Sequence, residues 1–259
     1  MNGIDGRNTL CNIESETYLD NDFSIPCDGE RRYFLEIMGG DKCSESIVSI
    51  RNITRPPATC TMTLIIEKND GTIISRVVPP PIQVFNSNAI AIAVNGLKSV
   101  SVKCEGLPEN TCQGQITVSQ QVCECLSCHT CSMKMKRKCK GRSIEQEECS
   151  LQGLQLSPSF PSFFEQNCNG TTRTVYEDLS DRESVTQITV SNLEVSGSEE
   201  CMMTAIIETM DGRITTEIIE GREAFLVDNI RSLSITCTGD PDGICRGQFT
   251  GQKQFCLCC

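Results

Sequence analysis

The chain has no tryptophan, one histidine (His129) and only 5% aromatic residues. Imidazole-dependent acid–base chemistry has almost no raw material here, and the chain is expected not to be an enzyme. The phosphate-cradling Walker loop, the G-x-S-x-G nucleophile elbow and the H-E-x-x-H metal helix are all absent. Asp240-Pro241-Asp242-Gly243 lacks the alternating oxygen ligands and closing glutamate of an EF-hand and reads as a turn. No cofactor is expected. No run of 18 apolar residues occurs, so no membrane span is expected either. Positive charge is also scarce: 23 Lys and Arg face 34 Asp and Glu, a net charge of -11 that would repel phosphates and argues against a nucleic-acid partner. The stretch from Met1 to Leu10 has neither a lysine-led start nor an apolar core, so no secretory signal is expected.

Sulfur, by contrast, is abundant. The 19 cysteines make up about 7% of the chain, far above ordinary usage. Such content suggests an oxidising destination, whereas the missing leader suggests synthesis in the cytosol. Three situations reconcile the two: metal-bound thiolates, a mature chain stripped of its leader, or synthesis in a reducing cell followed by oxidation after lysis.

The sequence is written twice. Residues 60–73 match residues 201–214 at nine of fourteen positions, and residues 99–125 match 232–258 at twelve of twenty-seven. The second block includes Cys104/Cys237, Cys112/Cys245, Cys123/Cys256 and Cys125/Cys258. Upstream, Cys27–Arg32 pairs with Cys168–Arg173. These matches bound an arm over 1–26, a first module over 27–125, a linker over 126–167 and a second module over 168–259. Within a module, short runs rich in Ile, Val and Thr alternate with turns, as in Thr61–Glu67, Asn69-Asp70-Gly71 and Thr72–Val78. An Asp-Gly pair between β-rich runs marks a hairpin, and it recurs as Asp211-Gly212. The expected fold is therefore all-β: two tandem antiparallel β-sandwiches, jelly-roll-like, joined by a cysteine-containing linker.

Six cysteines recur in both modules: 27/168, 60/201, 104/237, 112/245, 123/256 and 125/258. Cys104 and Cys112 bracket a Gly/Pro loop between two expected strands, as do Cys237 and Cys245, which makes each pair a candidate intramodule disulfide. Cys123 and Cys125 share one face of a strand too far apart to bond, so each needs a partner elsewhere. Cys258 and Cys259 are adjacent and face opposite ways. An odd total leaves at least one sulfur for another molecule. Cys11, in an arm without its own core, and the chain end Cys256–Cys259 suit covalent polymerisation.

The competing chemistry is metal binding by the linker. Cys125, Cys128, Cys131 and Cys139 could hold zinc or copper(I), although Cys128–Cys131 is a single C-x-x-C knuckle with no second one beside it. Between Lys134 and Arg142 the linker carries six positive charges, which read as a solvated segment or as a clamp for an acidic partner, including another copy of the chain.

The module order resembles that of the S-type endospore appendage (Ena) subunits of spore-forming Firmicutes. The resemblance rests on a cysteine entering the first strand (Cys27, Cys168) and a Gly-hairpin sandwich. It also includes a penultimate strand at Ser99–Lys103 and Ser232–Thr236, and a cysteine-bearing terminal strand, Gly114–Cys125 and Gly247–Cys258. It implies jelly rolls that stack by pairing sheet edges with copies of the chain or with homologous sandwiches. By that resemblance Cys11 is the connector thiol, and Cys27, Cys168, Cys123 and Cys256 are its acceptors on other subunits. The arm has one cysteine where the family has paired ones, and the chain has two modules where the family has one, so a cap or adaptor is implied as readily as a main subunit. The resemblance further implies synthesis in the mother cell without a signal peptide, and a spore-surface location.

Overall fold

The computed structural model describes residues 12–37, 44–55, 60–82, 87–107, 109–124, 150–155, 162–180, 182–193 and 201–257. The first module is built from β1 (Asn12–Pro26), β2 (Asp28–Glu36), β3 (Glu45–Asn52), β4 (Thr61–Lys68), β5 (Ile73–Val78), β6 (Asn88–Asn95), β7 (Leu97–Glu105) and β8 (Thr111–Glu124). The second follows with β9 (Ser150–Gln155), β10 (Ser162–Asn167), β11 (Asn169–Asp178), β12 (Ser184–Asn192), β13 (Cys201–Thr209), β14 (Ile214–Ile218), β15 (Arg222–Asp228), β16 (Ile230–Gly239) and β17 (Ile244–Leu257). Alternation sets which side chains go inward. In β4, Met62, Leu64 and Ile66 are fully buried while Thr61, Thr63 and Ile65 are partly exposed, and in β13 Met203, Ala205 and Ile207 do the same. The hairpin glycines adopt the left-handed conformation that a tight turn requires, with φ of 83° at Gly71 and 82° at Gly212.

Each module is a two-sheet sandwich with the same strand order. The first has β1-β8-β3-β6 facing β2-β7-β4-β5, and the second has β10-β17-β12-β15 facing β11-β16-β13-β14. This interleaving of first with last strand is the jelly-roll pattern. The tandem all-β architecture is thus as the periodicity indicates. Two segments differ from the sequence reading. Asn12–Pro26, read as an arm, is a strand paired along the whole of β8. The 126–167 linker ends in β9 and β10, both paired to β17. An edge strand pairs on one side only and need not carry a continuous apolar pattern, so neither segment announces itself as a strand in the sequence.

Phe23 lies opposite Gly114 in the β1–β8 pairing, and Phe164 lies opposite Gly247 in β10–β17. Each ring covers its glycine so closely that an added Cβ would come within 2.5 Å of Phe23 Cζ, while at Gly247 it would overlap the Phe164 ring. The repeated glycine is a packing requirement rather than a loop signal.

The modules are not separate beads. Strand β6, at the edge of one sheet of the first module, pairs in parallel with β11, at the edge of one sheet of the second, through Ala91–Tyr176, Ile92–Glu177 and Ala93–Asp178. The result is a continuous eight-stranded sheet, β1-β8-β3-β6-β11-β16-β13-β14. Ile90, Ile92 and Val94 belong to the core of the first module, whereas Ala91, Ala93 and Ile47 belong to that of the second.

Candidate functional site: buried sulfur and a sheet junction

Two features could carry function: a cysteine cluster at one end of each sandwich, and the seam between modules. In the first module the chain turns between β1 and β2 at Cys27, whose N–H donates to Asn110 O at 3.0 Å in the loop joining β7 and β8. That turn directs Cys27 inward, where it bonds to Cys60, with a Cα–Cα distance of 6.5 Å. Cys104 on β7 bonds to Cys112 on β8, with a Cα–Cα distance of 6.2 Å. The second module repeats this: Cys168 N–H donates to Gly243 O at 3.0 Å, Cys168 bonds to Cys201, and Cys237 bonds to Cys245.

Here the structure corrects the sequence reading of Cys27 and Cys168. Both appeared among the intermolecular cross-link candidates, yet they are 4% and 2% exposed and are consumed inside their own modules. The reason is topological: β2 and β4 begin at the same end of the sandwich, as β11 and β13 do, and the cysteines at those strand starts are 33 residues apart in sequence. The partners Cys60 and Cys201 could have been suspected from their recurrence, but no local spacing points to them. Cys123 and Cys256 occupy equivalent backbone positions near the ends of β8 and β17, opposite Ile13 and Leu151. Cys11, Cys125, Cys128, Cys131, Cys139, Cys258, Cys259 and the 134–142 basic run lie outside the described residues.

The sulfurs do more than pair. Cys27 Sγ lies 3.0 Å from Cys104 Sγ and 3.9 Å from Cys112 Sγ, so the two disulfides of the first module touch. All four sulfurs are mutually within 4.8 Å and buried. In the second module only Cys168, Cys201 and Cys245 lie within that distance of one another, and Cys201 is only partly buried.

The seam between modules is polar and buried. Lys253 of β17, fully buried, forms ion pairs with Glu45 of β3 and with Asp178 of β11, the latter at 2.7 Å, and donates to Ser180 Oγ at 2.6 Å. Burial raises the Glu45 carboxyl above the ordinary carboxylate value, against the pull of Lys253. Burial also pushes the Tyr176 phenol well above its ordinary value and lowers the Arg173 guanidinium to about 10. Arg173 reaches across to Asn88 and to Ala89 O, and Glu165 N–H donates to Asn88 Oδ1 at 2.8 Å. Arg76 of β5 pairs with Glu177 of β11 at 2.7 Å. The signal for this seam was present in Asn88–Asn95, whose apolar run lacks the polar alternation of a one-sided strand.

Two sheet edges correspond to those joined at the seam. Strand β2 holds the place in the first module that β11 holds in the second, and β15 holds the place of β6. Both are outermost in their sheets, and Leu226 on β15 is 75% exposed.

No protein-family model matches the chain, and no curated protein does. Among solved structures, the chain is similar to a subunit of Bacillus endospore appendages, described as disulfide-linked pili. The identity is 11% and the TM-score 0.30, over 46% of this chain and all of that one. It is also similar to a triple jelly-roll protein of an archaeal virus turret, at 8% identity and TM-score 0.30 over 92% of this chain and 60% of that one. The exported protein XepA of PBSX is similar at 11% identity and TM-score 0.27, over 93% and 86% of the two chains. Likenesses of this size carry no functional weight.

Proposed function

We propose that the chain is a non-enzymatic structural subunit that assembles head to tail by repeating its own internal seam, and that cysteines outside the sandwich cores then lock the assembly. The observation that carries this reading is the parallel pairing of β6 with β11. The chain contains one completed junction and, at opposite modules, the two kinds of edge that make it. A heterologous contact of this kind does not exhaust itself in a dimer; repeated, it gives a ring or a filament. By the repeat's correspondence, Leu35, Glu36 and Ile37 of one copy would lie beside Ala224, Phe225 and Leu226 of the next. Main-chain hydrogen bonds would supply direction, as in strand addition generally. The buried ion pairs of the seam have no counterpart there: the position of Lys253 in the first module is Gln120. The intermolecular junction is therefore the weaker one, and covalent sealing by Cys11, Cys123, Cys125, Cys256, Cys258 or Cys259 gives it permanence. The resemblance in sequence extends the proposal to a fibre or coat component of the spore surface.

The test is polymerisation without reductant, followed by electron microscopy and non-reducing electrophoresis. Wild type is expected to give filaments or rings and high-mass ladders that collapse on reduction. Leu226→Lys, on the exposed edge, is expected to leave folded monomers. A monodisperse wild-type chain with all its non-core thiols free would overturn the proposal.

A further inference from the structure

Two disulfides in one sandwich have no structural need to touch, yet those of the first module do. The hairpin bond Cys104–Cys112 joins neighbours on β7 and β8, whereas Cys27–Cys60 closes a 33-residue loop between two other strand starts. Their meeting places four buried sulfurs, contributed by four different segments, within 4.8 Å of one another. A tetrahedral zinc ion with Zn–S bonds of about 2.3 Å requires sulfurs roughly 3.8 Å apart. Cys27 Sγ already lies 3.0 and 3.9 Å from Cys104 Sγ and Cys112 Sγ. Within each bonded pair the sulfurs need only separate from the roughly 2.05 Å of a disulfide, and Cα–Cα distances of 6.2 and 6.5 Å leave room for that by side-chain rotation.

We propose that in the reduced chain Cys27, Cys60, Cys104 and Cys112 bind one zinc ion as a four-thiolate site. The first module is then metal-held before oxidation and disulfide-held after it. The four ligands are distinct from the linker cysteines, and the spacing hides them, because no two form a C-x-x-C knuckle. The chemistry closes. Two equivalents of a dithiol reductant each transfer two electrons and two protons to one disulfide, giving four thiols and two cyclic disulfides. Zinc then displaces four protons to form Zn(SR)4, with a net charge of two minus. Oxidation by two equivalents of a disulfide oxidant removes four electrons, re-forms both bonds and releases the ion. Tetrahedral sulfur coordination is the arrangement zinc favours. The second module is the weaker site. It gathers only Cys168, Cys201 and Cys245, and the Gly243 backbone crowds the cluster, an added Cβ there falling 2.7 Å from Cys201 Sγ.

The test uses the full chain carrying Cys125→Ser, Cys128→Ser, Cys131→Ser and Cys139→Ser, reduced with a dithiol and desalted without oxygen. Cobalt(II) titration is expected to give the intense visible and charge-transfer bands of a tetrahedral thiolate site, lost on adding one equivalent of zinc. Differential alkylation read by mass spectrometry assigns the ligands without altering the core. Zinc is expected to slow modification of Cys27, Cys60, Cys104 and Cys112 by about tenfold or more, and a chelator to reverse it. No thiolate-to-cobalt spectrum, or no zinc-dependent protection at those four residues, would overturn the proposal. Because the reduced chain is the sample, failure here leaves the polymerisation of the oxidised chain untouched.

Discussion

The two modules share a strand order, two disulfide positions and a ring-over-glycine contact, yet one equivalent strand is buried in each direction and the other is not. Strand β6 is buried almost throughout, and β15 is largely exposed. Their sequences carry the same difference: alanine and β-branched residues fill the first, while Arg222, Glu223 and Asp228 bracket the second. A strand with a neighbour on either side and a core on either face tolerates no charge, whereas an edge carries it to discourage stray pairing. The comparison teaches that divergence between the copies tracks the contact each copy makes, while what stayed constant is what each sandwich needs to close.

The sharpest way to break that comparison is at the seam. Lys253→Met leaves Glu45 and Asp178 buried without their ammonium and is expected to cost about 3–5 kcal/mol in chemical denaturation. Its counterpart Gln120→Met, also buried, is expected to cost about 1 kcal/mol. Equal losses would show that the ion pairs do not hold the modules together.

Disulfide removal comes next. The 33-residue loop closed by Cys27–Cys60 restricts the unfolded chain by about 4 kcal/mol on the entropy model, and the eight-residue spacing of Cys104–Cys112 by about 2.5 kcal/mol. The double variants Cys27→Ser/Cys60→Ser and Cys104→Ser/Cys112→Ser should therefore differ in that order, and the corresponding pairs in the second module should give the same ranking.

A smaller contrast lies in the glycines. At Gly114 an added Cβ meets Arg51 O at 2.7 Å as well as the Phe23 ring, whereas at Gly247 the three nearest atoms all belong to the Phe164 ring. A ring can turn and a backbone carbonyl cannot, so Gly114→Ala is expected to lose more than Gly247→Ala within a range of about 1–3 kcal/mol. Thermal melts of the two variants would decide it.

The smallest effect is on pH. Because the fold raises the Glu45 carboxyl, it binds its proton more tightly folded than unfolded. The stability it lends is complete below the unfolded value of about 4.3 and is lost as pH rises through the higher folded value. Denaturation from about pH 4 to pH 8 should show that decline in wild type and a flatter profile in Glu45→Gln; parallel profiles would remove Glu45 from the linkage.

Much of each sandwich was legible. Cys60–Ile73 and its repeat announce a hairpin because alternation and an Asp-Gly turn are local properties, and Cys104/Cys112 flank a loop short enough to read directly. Asn12–Pro26 and Ser150–Gln155 were not legible as strands, since their polar edges look like linker until β8 and β17 are beside them. The seam was readable only in part: the apolar run Ala89–Val94 says that both faces are covered, but not by what.

The sequence alone determined the duplication, the all-β class and the hairpins, because each depends on residues close together in the chain. Only the tertiary structure decided that Cys27 meets Cys60 beside Cys104 and Cys112, and that β6 accepts β11. Strand pairing and sulfur pairing join residues tens of positions apart, and their choice of partner is set by the closed geometry of the sheets.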